Sequence, residues 1–459
     1  MYLRHVAIRN IKCFEDFELS FLNADGSIRK WTTLLGQNGF GKSTLLQAIA
    51  VPLAGPGATR ELLPVADGWA RRGKPFGEIE AELGVTPGDQ QMPRWPKKSP
   101  YRCKFVVTGQ SSEQSPKEVV STVPSVVEWV GRTGRPKEKE QLTRQLNRLK
   151  KTAWAERKHG WLACGYGPFR RLSGGHQDAD RILYSGRRSA QFLTLFREDA
   201  ALTNAESWLV GLHNTAREED ASSARALAQV KAAFANQFLP EHATLIVDAR
   251  LARLQLTGRD PTLFQSLSDG YRSMLALGLD LLRWLIAAFP DSQDPATESG
   301  VVLIDELDAH LHPMWQQQIG EWLQTKFPNI QFIVATHSPF LAQVAREPQA
   351  NVLLTEKAGH GVKARTDLSS VSTWRAEQIY AELFGLRSTR SPHAQGQLER
   401  LLKLEVRRRS ARLSSEEKAE LAQLSIQFPP GVEGVESQAA ALRLHDAVAE
   451  NASAIRELE

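Results

Sequence analysis

Cysteine is scarce, with Cys13, Cys103 and Cys164 the three in 459 residues, and no two of them form a CxxC pair. That excludes a disulfide framework and a zinc knuckle and leaves buried thiols as the expectation. Long apolar runs are missing as well. The longest mostly apolar stretch, Met274 to Phe289, is interrupted by Asp280 and Arg283 and falls short of the roughly 20 residues that cross a bilayer, so no membrane partner is expected. The opening MYLRHVAIRNIKCF alternates charged with apolar residues and lacks the unbroken apolar core of a signal peptide, which points to a cytoplasmic location. No internal repeat is present.

What is there is ordinary globular material, 42% hydrophobic and 24% charged, long enough for two or three structural units. The net charge of +5 is unevenly spread: residues 131 to 190 hold 15 Lys or Arg against 5 Asp or Glu, a local balance of +10, and the remainder sums to −5. Such a block attracts phosphates, so contact with DNA or RNA through 131–190 is one expectation. The other is a solvated helical face, because EKEQLTRQLNRLKKTAWAERK has charges at nearly every turn and widely spaced leucines.

Alternation in YLRHVAIRNIKCFEDFELSF and the apolar WTTLL predict strands that lead into a glycine-rich loop, followed by a helix, TLLQAIAVPLAG, that ends at glycine and proline. The runs GEIEAELGV, YRCKFVVTG and TVPSVVEWVG predict an antiparallel lobe. From about 137 to 240 the pattern is mainly helical, broken by GYGPFRRLSGGHQDAD. The strands VVLID and FIVAT then alternate with the helices MLALGLDLLRWLIAAF and MWQQQIGEWLQTKF, the pattern of an α/β sheet. The expected boundaries are 1–136 for a first half-head with the lobe, 137–240 for a helical insertion with the basic block, 241–371 for a second half-head, and 372–459 for a charged helical tail suited to partner or oligomer contact.

The strongest motif is Gly36-Gln37-Asn38-Gly39-Phe40-Gly41-Lys42-Ser43, which matches GxxxxGK[ST] between a predicted strand and a predicted helix. Its glycines let backbone N–H groups wrap phosphates, the helix N-terminus favours negative charge, Lys42 reaches the β and γ phosphates and Ser43 ligates Mg²⁺. Gly36, Asn38, Gly39, Gly41, Lys42, Ser43 and Thr44 are thus the candidate ATP contacts. Far downstream, the apolar Val301-Val302-Leu303-Ile304 ends in Asp305 and Glu306. Asp305 suits the Mg²⁺ water shell, and Glu306 suits a base that orients and deprotonates the attacking water.

Two further pieces are Leu267-Ser268-Asp269-Gly270-Tyr271-Arg272 ahead of a helix and Ala335-Thr336-His337-Ser338 after a strand. Taken singly, Ser268 with Gly270 reads as a helix cap, and His337 as a capping or core histidine. Together, in this order, the pieces resemble ABC-type ATPases, and DELDAHLHP with ATHSP resembles the RecF, SMC, Rad50 and OLD branch over roughly residues 1 to 350. The resemblance implies an α/β P-loop head that dimerises, or assembles further, around ATP. In it Ser268 and Gly270 contact the γ-phosphate held by the opposite subunit, Asp308 is the D-loop position and His337 senses the γ-phosphate. The sequence departs from the pattern at Asp269, where transporter-type members have glycine, and at Tyr166-Gly167-Pro168-Phe169-Arg170, where no glutamine stands for the Q-loop; Arg170 and Arg171 are candidate substitutes, a structural loop the alternative.

Only about 220 residues separate Ser43 from Ser266, too few for the long heptad arms of SMC or Rad50. After Pro339 the aspartates are Asp367 and Asp446, so the Toprim nuclease of OLD proteins is not expected, nor is an HNH site. The tail, WRAEQI followed by FGLRSTRS, resembles that of PtuA-like ATPases of Septu systems and related retrons. That resemblance implies an ATPase scaffold in anti-phage defence that controls a separate, operon-encoded nuclease of HNH or Toprim type. The alternative is a RecF-like repair ATPase that clamps DNA. A transporter ATPase fits the DELDAHLHP stretch poorly.

Overall fold

The computed structural model describes residues 1–64, 68–84, 100–108, 125–126, 147–155, 160–168, 187–198, 200, 205–218, 220–235, 243–346, 350–357, 361–366, 368, 371–386, 388–410 and 412–428. The chain divides into two compact units, Met1–Ile379 and Tyr380–Glu459. The first unit opens with β1 (Tyr2–Ile11), β2 (Phe14–Ser20), β3 (Trp31–Leu35), α1 (Lys42–Leu62), β4 (Phe76–Gly84), β5 (Tyr101–Thr108), β6 (Ser125–Val126) and β7 (Leu162–Tyr166). It continues through α2 (Ala205–Arg217), α3 (Ala221–Ala235), β8 (Ala243–Val247), β9 (Ala252–Leu256), β10 (Thr262–Leu263), α4 (Asp269–Ala288) and β11 (Gly300–Ile304). It closes with α5 (Pro313–Lys326), β12 (Ile330–Ala335), α6 (Pro339–Val344), β13 (Asn351–Lys357) and β14 (Gly361–Arg365).

The class is α/β. A six-stranded sheet runs β14-β13-β3-β12-β11-β7, parallel from β13 to β7, with β14 antiparallel at the edge. Every residue of β3, β7, β11 and β12 is buried, the reason these strands read as unbroken apolar runs: a parallel sheet is covered on both faces. Successive side chains serve opposite cores. Leu34, Val301, Leu303, Ile333 and Ala335 pack with α1 and the antiparallel sheet, whereas Trp31, Val302, Ile304, Phe332 and Val334 pack with α4 and α5.

The expected antiparallel lobe is a sheet ordered β2-β1-β4-β5-β6. Of the run TVPSVVEWVG, Ser125–Val126 forms its last strand and the rest lies outside the described residues. Buried Gln331, at the start of β12, stitches the two sheets together: its amide donates to the Leu3 carbonyl at 2.9 Å and accepts from the Leu3 N–H at 2.8 Å. Within the stretch read as mainly helical, Trp161-Leu162-Ala163-Cys164-Gly165-Tyr166 supplies an edge strand of the parallel sheet. It is a short apolar run between glycines, the pattern of a fully buried strand.

The helix after the phosphate loop does not stop at the glycine and proline. It breaks direction at Gly55 (φ 83°, ψ 170°) and resumes to Leu62. Gly55 is required there, because a Cβ would lie 2.5 Å from the Trp154 ring. Proline at 52 and 56 removes N–H donors from the turn, and side chains from α1 itself and from elsewhere in the chain supply donors to its carbonyls. Trp154 Nε1 donates to the Pro52 carbonyl at 2.9 Å, Arg188 to Leu53 and Ala54 at 3.0 and 3.3 Å, and the Thr59 hydroxyl to Gly55 at 2.8 Å.

In the second unit, α7 (Pro392–Ser410) and α8 (Ser415–Gln427) bury Leu398, Leu401, Leu404, Leu421 and Leu424 in a small core. A capping box between Ser414 and Glu417 starts α8, and Arg400 holds Glu420 through two nitrogens at 3.0 and 2.9 Å. Of the segment read as a charged helical tail, residues 429–459 lie outside the described residues.

Candidate nucleotide site

Parallel strands place their C-terminal ends along one edge, and the register aligns them: Leu34 lies beside Ala335, Val334 beside Ile304, and Ile304 beside Tyr166. The phosphate loop leaves β3, Asp305-Glu306 leaves β11, Thr336-His337-Ser338 leaves β12 and Gly167-Pro168 leaves β7. In an open α/β sheet this edge is where ligands bind.

The loop glycines serve two needs. Gly36, Gly39 and Gly41 have φ of 145°, 83° and 81°, backbone that disfavours any side chain. Gly36 and Gly41 also sit against neighbours: a Cβ at Gly36 would be 2.9 Å from the Leu354 carbonyl oxygen, and one at Gly41 would be 2.4 Å from Cys13 Sγ. Asn38 and Gly39 are exposed on the crest. Lys42, Ser43 and Thr44 begin α1, whose first turn carries no acidic side chain, leaving its positive end for an anion. Buried Lys42 curls back so that Nζ donates to the carbonyls of Gly36 (2.8 Å) and Gln37 (3.1 Å). Burial lowers its pKa, partly offset by the carboxylates of Asp305, Glu306 and Asp308.

Asp305 is buried, and its backbone N–H donates to the Tyr166 carbonyl at 2.8 Å. Burial raises its carboxyl pKa, Glu306 adds to the rise, and a hydrogen bond from the Ser43 hydroxyl opposes it. Glu306 and His310 take left-handed backbone, φ 47° and 64°, on either side of Leu307-Asp308-Ala309. For residues with a Cβ this conformation costs about 1 kcal/mol each, so the surrounding contacts must hold the turn. The Thr336 hydroxyl donates to the Asp308 carboxylate. Half-buried His337 has its pKa lowered, by burial first and by Lys42 second, against Asp308 and Glu306. Lys42, Ser43, Asp305, Glu306, Asp308 and His337 therefore converge.

The signature segment packs against α5. Ser268 is exposed at the N-cap position of α4, yet its side chain makes no capping hydrogen bond. Gly270 faces Trp315, whose Cδ1 would be 3.2 Å from an added Cβ, and Tyr271 meets the Trp315 ring edge-on at 4.8 Å.

Sequence reading missed the Tyr166–Asp280 contact. The Tyr166 phenol, its pKa driven well up by burial, donates to Asp280 at 3.0 Å, and Trp284 Nε1 donates to the same oxygen at 3.0 Å. Asp280 interrupts an apolar helix, and that interruption was the available signal. Arg170, Arg171 and Arg144 lie outside the described residues. Within the basic block, Arg188 is buried on the α1 break and Arg187 pairs with Glu61, so neither is free for phosphates. Lys150 and Lys151 are exposed beside buried Leu149 and Trp154. Cys103 and Cys164 are buried thiols as expected, and Cys13 is half-buried.

A phosphate loop, an acidic strand end and a histidine loop thus share one edge of a parallel sheet, the arrangement of a P-loop fold. A family model described as "AAA domain, putative AbiEii toxin, Type IV TA system" matches residues 134–342, and a second, "AAA domain", matches residues 5–152. Models of AAA type thus match the chain on both sides of residue 150, and the curated proteins it is similar to are named as Septu and retron proteins. It is 26% identical over 357 residues to a Septu protein PtuA of Bacillus mycoides (strain KBAB4), covering 77% of this chain and 40% of that protein. It is 42% identical over 115 residues to the Retron Ec83 probable ATPase of Escherichia coli (25% and 21%), and 43% identical over 88 residues to the Retron Vc95 probable ATPase of Vibrio cholerae serotype O1 biovar El Tor (19% and 17%). The matched region thus spans two fifths or less of each of these relatives. Among solved structures, an SMC head bound to the C-winged helix domain of ScpA aligns with a TM-score of 0.45 at 15% identity, covering 80% of this chain and 97% of that one. Among the described residues no helix is long and apolar enough to cross a membrane.

Proposed function

We propose that two copies of this chain bind and hydrolyse Mg-ATP between their heads, and that the nucleotide state controls a separate nuclease, HNH or Toprim in type, in bacterial anti-phage defence. The convergence of Lys42, Ser43, Asp305, Glu306, Asp308 and His337 at one sheet edge carries this reading. The Septu and retron relatives support the defence setting.

The residues fit the ligand. Ser43 and Asp305 supply two hard oxygens near one another, and among the described residues no cluster of three His, Cys, Asp or Glu side chains offers a complete cage. A site with two protein oxygens suits Mg²⁺, which keeps waters and takes phosphate oxygens as its remaining ligands. When bound, the metal polarises the phosphoryl oxygens. Lys42 would exchange the carbonyls of Gly36 and Gln37 for phosphate oxygens without rebuilding the loop, while Gly36, Asn38, Gly39, Gly41 and Thr44 line the phosphate path. Glu306 would orient the attacking water and accept its proton. His337, kept neutral, would offer an N–H donor at the γ-phosphate position. Ser268 and Gly270 would reach the site of the second copy, which suits a Ser268 side chain not committed to its own helix; Asp308 would meet the same interface.

A second reading, nucleic-acid contact through 131–190, is favoured by exposed Lys150 and Lys151. It requires affinity that falls steeply with salt and with reversal of Arg148, Lys150 and Lys151 to Glu. The main test is copurification with the products of neighbouring genes, followed by mass measurement with and without ATP. A nuclease partner and an ATP-dependent change in assembly are expected; a monomer that binds no neighbour and ignores ATP would overturn the reading.

A further inference from the structure

We infer that Trp315 and Gln316, adjacent on the first turn of α5, are positioning residues that hold the signature segment, the loop after β11 and the loop after β12 in one arrangement. The nucleotide site of a head and the face it offers a second head then move together. Gln316 closes a ring of hydrogen bonds. Its Oε1 accepts from the Ser338 hydroxyl at 2.7 Å, and its Nε2 donates to the Leu311 carbonyl at 3.0 Å and, at the longer distance of 3.5 Å, to that of Asp308. The Ser338 N–H donates to Thr336 Oγ1 at 2.9 Å, and the Thr336 hydroxyl returns to the Asp308 carboxylate. His337 lies between Thr336 and Ser338, and both of these are buried, at 0% and 3% exposure, so the bond between them is shielded from water while Gln316 and Asp308 close the ring from half-buried positions.

A neutral amide is what this position demands. It must accept from a hydroxyl on one side and donate to two carbonyls on the other, which a carboxylate or thioether cannot do. The neighbours also fix which way the amide points. One residue earlier, Trp315 receives the signature side of the head: Gly270 lies against its ring and Tyr271 meets it edge-on. The start of α5 is itself anchored, with Pro313 in the first turn and His312 Nδ1 accepting from the Met314 N–H at 3.4 Å. Two consecutive side chains on one helical turn thus touch three segments far apart in sequence. Residues at 268–271 cannot shift against α5 without disturbing Trp315, and α5 cannot rotate without pulling on Asp308 and Ser338.

The inference rests on the proposed ATPase reading, and the test separates the two. The full chain carrying Gln316→Met is compared with wild type for ATP affinity and for steady-state turnover. Affinity is expected to stay within about twofold while kcat falls roughly tenfold or more, the split that lost positioning gives and a general loss of stability does not. Gln324→Met, on the same helix and bonded to the Gly320 carbonyl of its own turn, is expected to change neither constant. Trp315→Leu is expected to keep single-head affinity and weaken ATP-dependent pairing. Ser338→Ala, which deletes one link of the ring, decides the matter if Gln316→Met does not fold. Turnover within about twofold of wild type in folded Gln316→Met or Ser338→Ala, or lost affinity with unchanged kcat, would overturn the inference. A wild-type protein that neither binds nor hydrolyses ATP would overturn the ATPase reading first, and this inference with it.

Discussion

Ser43, on the helix that follows β3, lies close enough to Asp305, at the end of β11 two strands away, for its hydroxyl to hold the Asp305 carboxyl pKa down against burial. Burial raises the Asp305 pKa above its ordinary 3.8, so at neutral pH the fold disfavours the ionised form that a cation would need. The sign follows from linkage: a carboxyl whose folded pKa is raised gives its full stability below the unfolded value and loses it as pH rises through the folded one. Asp305→Asn is therefore expected to melt no lower than wild type at neutral pH without nucleotide, and to lose the stabilisation that Mg-ATP gives wild type. Thermal melts with and without Mg-ATP check both halves.

Lys42 and Ser268 are expected to serve different heads. Lys42→Ala should lose ATP binding, since the loop keeps its shape but not its point charge. Ser268→Arg should bind ATP and fail to pair. Mixing the two inactive proteins creates one intact composite site per mixed dimer, and activity should reappear; silence from mixed dimers shown to form would count against sites shared between heads.

His337 gives a pH signature. Its folded pKa is lowered from 6.5, so its contribution to stability is present above the unfolded value and is lost as pH falls through the folded one. Between about pH 7.5 and about pH 5, wild type should lose more stability than His337→Gln. Denaturant titrations at the two pH values measure the difference, and parallel losses would contradict the assignment.

Arg188 satisfies two carbonyls at the break in α1 from a buried position. Arg188→Met is expected to cost about 2 to 4 kcal/mol, because those acceptors have no water to turn to. Equilibrium denaturation reads this directly, and a change near zero would mean that the break finds other donors.

Much of this site could be read in the sequence because its chemistry is local. GQNGFGKS encodes backbone conformation and charge within eight residues, and VVLIDE marks a buried strand by an apolar run ending in carboxylates. What escaped depends on distance in the chain. Nothing near Pro52 announces that Trp154 and Arg188 will cap it, and Arg188 was counted with a basic surface block. Gln316 looks like any polar helix residue until Ser338 and the loop at 308–311 are folded against it. The sheet β10-β9-β8 and the hairpin β13-β14 also escaped, since ATLIV, ARLQL and GVKAR are short and mixed in polarity, and only cross-strand pairing defines them.

The turnover of Glu306→Gln, measured beside its ATP affinity, tests this sheet edge as a hydrolytic site most directly. An amide in place of this carboxylate still hydrogen-bonds water but does not take its proton. The expected result is ATP and Mg²⁺ bound at near wild-type affinity with multiple-turnover hydrolysis reduced roughly a hundredfold or more. Hydrolysis at the wild-type rate in a folded, nucleotide-binding variant would contradict the assignment of this sheet edge as the hydrolytic site.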